Sequence, residues 1–190
     1  MSRVLWRTLA LLTLLTTASP AIAALRFAEV GGHFSIGATK LVTAEAPGGS
    51  LALGAGLDYP LTPTLRVGID LGYDLLGSRT FQRGSYSAGV DYSDIGVTAF
   101  LHWLRPRGMV RRISVGPALV NASGVLSVTS GAAGFSYLSI HEPAGAIAAQ
   151  VTLMKAKPSP VRLGLELGGR LAFRANDDWM LLSARATVHY

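Results

Sequence analysis

The chain has 190 residues, of which 49% are hydrophobic and 15% charged, and it contains no cysteine. Without cysteine it can build neither a disulfide framework nor a thiolate metal site, and its 22 glycines follow no short period, which excludes collagen. The formal net charge is +6 and falls to 17 − 2 − 11 = +4 without Arg3 and Arg7, so it does not call for a nucleic-acid partner.

The first residues have the three parts of a secretory signal peptide. Arg3 and Arg7 form a positive segment, an apolar run follows over 9–15, and Ala21-Ile22-Ala23 supplies small residues for cleavage. The alternative, a membrane anchor helix, would need about 20 apolar residues. We therefore predict a signal peptide at 1–23 and a single domain at 24–190.

Eight segments of the remaining chain alternate apolar with polar or small residues, as strands with one apolar face do. In the third segment, the odd positions from Leu65 to Leu75 are all apolar or aromatic, while the even positions hold two aspartates, one arginine and two glycines. The first segment could begin near Arg26, with a bulge at Gly31 and Gly32. The predicted strands are 32–39, 51–59, 65–75, 94–103, 112–119, 145–154, 161–173 and 181–190.

The connections between these strands alternate in length. Those at 60–64, 104–108 and 155–160 are short, those at 40–50, 77–89 and 121–143 are long, and 174–178 is intermediate. Within 121–143 the apolar pieces 125–128 and 135–140 are candidate strand extensions above a membrane. Outer-membrane barrels have short periplasmic turns and longer external loops, so both termini are expected on the periplasmic side. The predicted fold class is all-β, an eight-stranded antiparallel up-and-down transmembrane β-barrel.

The composition of the polar face indicates that this face is inside. A soluble lipid-binding barrel of the lipocalin type would turn it to solvent, where glycine weakens a strand. Here that face is rich in glycine, which suits a crowded eight-stranded interior. The apolar face would then meet lipid, where a charge would cost about 2–4 kcal/mol.

By parity, five acids and five arginines point into the barrel. Balanced signs predict an interior ion-pair network, since an unpaired charge in a narrow lumen is costly. Its predicted members are Asp58, Asp70, Asp74, Asp94, Glu166, Arg66, Arg112, Arg162, Arg170 and Arg185. We predict that these side chains close the lumen as a filled polar core; a narrow ion channel is the alternative.

Aromatic residues stand near both ends of the predicted apolar face. Such residues form belts at the two membrane surfaces of outer-membrane barrels, and ordinary aromatic packing is the alternative. The predicted girdle comprises Tyr59, Trp103 and Tyr190 at the periplasmic ends and Tyr73 and Phe173 near the external ends.

The alternating strands, the signal peptide and the terminal aromatic Tyr190 resemble the small outer-membrane β-barrel family typified by the transmembrane domain of OmpA and by OmpX. The resemblance implies a location in the outer membrane, with lipid and lipopolysaccharide as neighbours, and recognition of the last strand by the barrel-assembly machinery. We expect a monomer without a cofactor, whose specific role is structural or lies in surface interactions. The external loops would present Arg79, Phe81, Arg83, Tyr86 and Tyr137.

Some eight-stranded barrels of this membrane hydrolyse or transfer acyl chains of lipid A. His33 and Ser35 resemble the His-x-Ser of the hydrolases, but they lie in the first strand and on the face assigned to the lumen. The other histidines, His102, His141 and His189, show no metal-site spacing. We therefore predict no catalytic, cofactor or metal site, and lipid A modification is the alternative function.

Overall fold

In the computed structural model, the described residues are 29–42, 50–84, 86–130, 135–154, 160–173 and 178–190. The predicted signal peptide, Arg26 and most of the loop at 40–50 lie outside them. No helix in this part of the chain is long and apolar enough to cross a bilayer.

The described residues form eight antiparallel strands that close into a barrel, as predicted. Each strand pairs with its neighbours in sequence, and β1 pairs with β8 from His33↔His189 to Leu41↔Leu181, so the barrel closes at its seam. The strands are β1 (Gly31–Leu41), β2 (Ser50–Thr62), β3 (Leu65–Arg83), β4 (Tyr86–Leu104), β5 (Val110–Ser130), β6 (Phe135–Met154), β7 (Arg162–Phe173) and β8 (Trp179–His189).

The apolar face points outward and the small and polar face points into the lumen. Leu57, Ile69 and Leu119 are 58%, 59% and 68% exposed, whereas the polar Thr152 and His102 are fully buried. Apolar side chains that would be inside a soluble protein are outside here, as on the lipid-facing surface of an outer-membrane barrel. This inversion confirms the predicted orientation of the faces.

Two predicted long connections are largely strand. The prediction of a loop at 77–89 was wrong over most of its range, whereas the candidate strand extensions 125–128 and 135–140 within 121–143 are strand, as predicted. β3 and β4 pair as far as Arg83↔Tyr86, and β5 and β6 pair as far as Thr129↔Phe135. These strands have 19, 19, 21 and 20 residues, while a membrane crossing takes about 9–11. We call the part of β3–β6 beyond the barrel rim, 78–83, 86–91, 123–130 and 135–141, the external sheet. At ~3.3 Å per residue its longest strands extend roughly 25–30 Å from the rim.

Strand ends also differ from the sequence prediction. The register of β1 is continuous with β2 through Gly31 and Gly32 and with β8 through Gly32, so the expected bulge there is absent. A register shift occurs instead between Leu75 and Gly77 of β3. It turns Leu76 inward, where this side chain is 1% exposed.

Candidate functional site

Four charged side chains from four strands meet in the external half of the lumen. Asp74 and Asp94 lie directly opposite each other on β3 and β4, an arrangement that repels unless a cation intervenes. Arg170 supplies the cation: its Nη2 lies 2.9 Å from Asp74 Oδ2 and also pairs with Asp94 Oδ2. Arg185 Nη2 lies 2.9 Å from the other oxygen of Asp74. We call these four residues the outer ion cluster.

A second group of four charges lies toward the periplasmic end. Arg112 is 2% exposed and its two terminal nitrogens lie 3.5 Å from Asp58 Oδ2 and from Glu166 Oε2, while its Nε donates to Thr152 Oγ1 at 3.3 Å. Arg66 pairs with the other carboxylate oxygen of Asp58. This inner ion cluster of Asp58, Arg66, Arg112 and Glu166 links strands β2, β3, β5 and β7.

Asp70 pairs with a histidine, which the sequence prediction missed. His33 Nε2 lies 3.3 Å from Asp70 Oδ2, and the Gln150 amide donates to the same oxygen at 3.5 Å. The ring of His33 stacks on His189 with centroids 5.2 Å apart, and His102 Nδ1 lies 2.8 Å from the Ser114 hydroxyl oxygen. All three histidines occupy inward positions of the alternating sequence pattern. That pattern could therefore have identified them as interior residues.

Arg162 does not belong with the other predicted interior charges. It is the first residue of β7, its side chain is exposed, and it takes part in none of the ion pairs between described residues. The alternating pattern assigns the Arg162 side chain to the inner face. At the rim of the barrel, however, a side chain on that face is exposed because the lumen has already ended.

The lumen is apolar at its external end. Leu41, Leu76 and Leu181 are buried together, with Tyr92 and Trp179 packed against them. A second buried group follows around the wall and joins the first at Trp179, namely Ala118, Val120, Ala146 and Ala172. We predicted an interior that is polar throughout. The structure instead has an apolar layer on the external side of the outer ion cluster.

A cavity of about 50 Å³ lies beside the outer ion cluster. Asp70, Asp74, Arg170 and Arg185 line it, together with Gln150. It is large enough for only a few water molecules, given that one needs roughly 10–15 Å³ by the same measure. Among the described residues, no cluster of three or more histidine or acidic side chains could hold a metal ion.

All five residues of the predicted girdle belong to the outward-facing set. Trp103 and Tyr190 are 64% and 56% exposed, Phe173 and Tyr73 are exposed to a smaller extent, and Tyr59 is half-buried. Tyr190 stacks on Phe34 of β1 with centroids 6.1 Å apart. Their role as two belts stays a prediction.

His33 and Ser35, the pair weighed for catalysis, are 2% and 7% exposed and face the lumen. A different serine–histidine group lies on the outward face at the base of the external sheet. His141 Nδ1 lies 2.9 Å from Ser123 Oγ, and His141 Nε2 lies 2.9 Å from Ser139 Oγ. Both ring nitrogens thus lie at hydrogen-bonding distance from serine hydroxyls, whereas a catalytic triad places a carboxylate on one of them.

The external sheet presents two long edges. Among the described residues, the ladder of β3 with β2 ends at Asp74 and the ladder of β6 with β7 ends at Gly145. On the β3 edge, Arg79 and Phe81 are exposed, and the Arg79 guanidinium carbon lies 4.8 Å from the centre of the Phe81 ring. Arg83, Tyr86 and Tyr137 lie in the strands of this sheet, and their side chains are outside the described part.

Solved structures of small outer-membrane barrels share this fold. Ail, the attachment invasion locus protein of Yersinia pestis, matches with a TM-score of 0.54 at 13% identity, over 85% of this chain and 99% of Ail. The complex of Ail with the heparin analogue sucrose octasulfate matches equally well at 15% identity and the same coverage. No protein-family model and no curated protein sequence matches the chain. The chain therefore has the small outer-membrane barrel fold, and at these identities the likeness extends to the fold alone.

Proposed function

We propose that this chain, with the fold of the small outer-membrane barrels, is an integral outer-membrane protein that binds partners at the cell surface through its external sheet. A barrel this size needs only about ten residues per strand to cross the membrane. Four of its strands are about twice that length, and this excess carries the proposal. The barrel anchors the sheet, and both termini lie in the periplasm.

The edges of the external sheet supply the means of binding. An edge strand offers a row of backbone donors and acceptors to another chain or ligand. The Arg79–Phe81 pair adds an exposed cation held against a ring, which suits a fixed anion. Ail, named for attachment and invasion, was solved with a heparin analogue, which supports polyanionic sugars as the first probe. Lipopolysaccharide phosphates carry the same kind of charge.

We expect that trimming the external sheet abolishes binding while the barrel still folds. Deleting 79–90 and 126–138 and closing each hairpin with Asn-Gly keeps the flanking pairs Ser78↔Asp91 and Val125↔Ser139 in register. Binding of the protein in lipid nanodiscs to immobilised heparin should fall at least tenfold, and the boiling-dependent gel shift should persist.

The matched control changes only the tip of one hairpin. Gly84 has a φ of 62°, which asparagine tolerates, so Gly84→Asn should leave both the sheet and heparin binding intact. Equal binding by the trimmed and full-length proteins would contradict the role of the sheet.

We also propose that the protein is not an enzyme and does not conduct ions. The ion clusters and the apolar layer fill the lumen, and a ring whose two nitrogens both bond serine hydroxyls lacks the oriented base of a hydrolase. We further propose a monomer, and recognition of the β8 strand with Tyr190 by the barrel-assembly machinery.

Lipid A is expected to be unchanged by this protein. Mass spectra of lipid A from cells with the gene, without it, and with the His141→Ala variant should coincide, because no acyl chain is removed or added. A species that disappears in both the deletion strain and the His141→Ala strain would establish the enzymatic alternative instead.

A further inference from the structure

The positive charge of the chain is concentrated at the periplasmic turns. Two segments, 104–111 and 155–162, contain six basic residues and no acidic one. The external segments 40–50, 77–92, 121–144 and 174–178 contain four basic and five acidic residues, or −1. The six basic residues are Arg105, Arg107, Arg111, Lys155, Lys157 and Arg162.

The turn between β4 and β5 is ordered by one of these arginines. The Arg111 guanidinium donates to the carbonyl oxygens of Arg105, at 3.4 Å, and Pro106. The Arg105 amide in turn donates to the Arg111 carbonyl at 2.9 Å. Arg111 is thereby engaged within the turn, whereas the side chains of Arg105 and Arg107 are exposed.

Backbone hydrogen bonds tie the β4–β5 turn to the neighbouring strand ends. The Leu104 amide donates to the Thr64 carbonyl at 2.8 Å, and the Met154 amide donates to the Met109 carbonyl at 3.1 Å. The second contact joins the β4–β5 turn to the end of β6, from which 155–162 leads to β7. The described basic residues of the two segments, Arg105, Arg107, Arg111 and Arg162, therefore lie at the same end of the barrel.

Exposed apolar side chains adjoin these cations on the lipid-facing surface. Trp103, Met109 and Leu163 are 64%, 76% and 72% exposed. Tryptophan prefers the depth of the lipid headgroups, so cations within a few residues of Trp103 would lie beside headgroup phosphates. Cation clusters next to a membrane segment attract anionic lipid.

We propose that the β4–β5 turn forms a binding surface for anionic phospholipids of the inner leaflet, with Arg105 and Arg107 contacting the phosphates. The inference rests on the proposed insertion into the membrane. It assigns to the periplasmic end a lipid preference that is independent of the external sheet.

The test measures lipid retention by the full-length protein. After extraction from nanodiscs of equal parts phosphatidylglycerol and phosphatidylcholine, native mass spectrometry counts the lipids that remain bound. The wild type should retain phosphatidylglycerol in preference, and Arg105→Gln with Arg107→Gln should reduce that preference about tenfold. Arg111 is left unchanged because it holds the turn.

A charge-matched control separates a local site from general charge. Lys40→Gln with Arg174→Gln removes two positive charges from the external side and should retain phosphatidylglycerol as the wild type does. Equal retention of both lipids by the wild type would overturn the proposal, as would an equal loss in the external variant. The proposal would also be overturned if the protein showed no lipid preference and instead co-sedimented with peptidoglycan in a way that depends on these charges. The boiling-dependent gel shift reports insertion separately, so a failed lipid preference leaves the proposed surface function standing.

Discussion

Replacing Asp74 by asparagine should lower the free energy of unfolding of the barrel by about 3–5 kcal/mol, because removing one partner of a buried ion pair strands the others. Asp74 is 1% exposed and its two oxygens lie 2.9 Å from Arg170 and from Arg185. Asparagine keeps the shape but loses the charge, so Arg185 would lose its ion pair with Asp74 and Arg170 would keep only Asp94. Urea unfolding in lipid vesicles measures the change.

Two companion variants make this result specific to the outer ion cluster. Asp91→Asn removes an exposed carboxylate from the external part of β4 and should change stability by less than about 0.5 kcal/mol. Asp74→Asn combined with Arg185→Gln removes one charge of each sign and should recover part of the loss through a favourable coupling energy. A purely additive double variant would contradict direct pairing of these two residues.

The barrel itself was predictable because its outer face is apolar and its inner face is small or polar, which imposes strict alternation along each strand. The external sheet was not, because water wets both of its faces. Residues 87–93, Ser-Ala-Gly-Val-Asp-Tyr-Ser, show no alternation, yet they pair with β3 and β5 along their length. In that region the strands are defined by backbone hydrogen bonds between neighbours. Such hydrogen bonds do not require any pattern of side-chain polarity, so the sequence does not reveal them.

Parity could place charges on the inner face, but it could not choose their partners. Asp74 and Arg170 lie 96 residues apart in the chain, and only the register of the intervening strands brings them together. The apolar layer was hidden for a related reason. Leu181 stood visibly on the inner face of β8, whereas Leu76 turns inward only because of the register shift at 75–77.

Two glycines allow the closest approach of neighbouring strands in the barrel wall. A Cβ at Gly37 of β1 would collide with the Ala184 carbonyl oxygen of β8, and one at Gly116 of β5 would collide with the Ala99 carbonyl oxygen of β4. Both obstacles are backbone atoms, so no side-chain rotation can make room. Near Gly116 the β4–β5 ladder passes from Thr98↔Ala118 to Leu101↔Val115 in unchanged register.

Gly37→Ala and Gly116→Ala should each destabilise the barrel by about 1–3 kcal/mol or more, because the added methyl group forces two backbones apart. Gly145→Ala is the matched control: nothing lies within 4 Å of its Cβ position, so it should be neutral or stabilise by about 0.4–1 kcal/mol. Of the two, Gly37 lies at the seam where β1 and β8 close the barrel, so its variant should also fold more slowly into vesicles, as the gel shift after timed refolding would record. Unchanged stability in both variants would contradict the close approach of the neighbouring strands at Gly37 and Gly116. If Gly145→Ala lost as much stability as these two variants, the effect would come from replacing glycine in general and not from close approach.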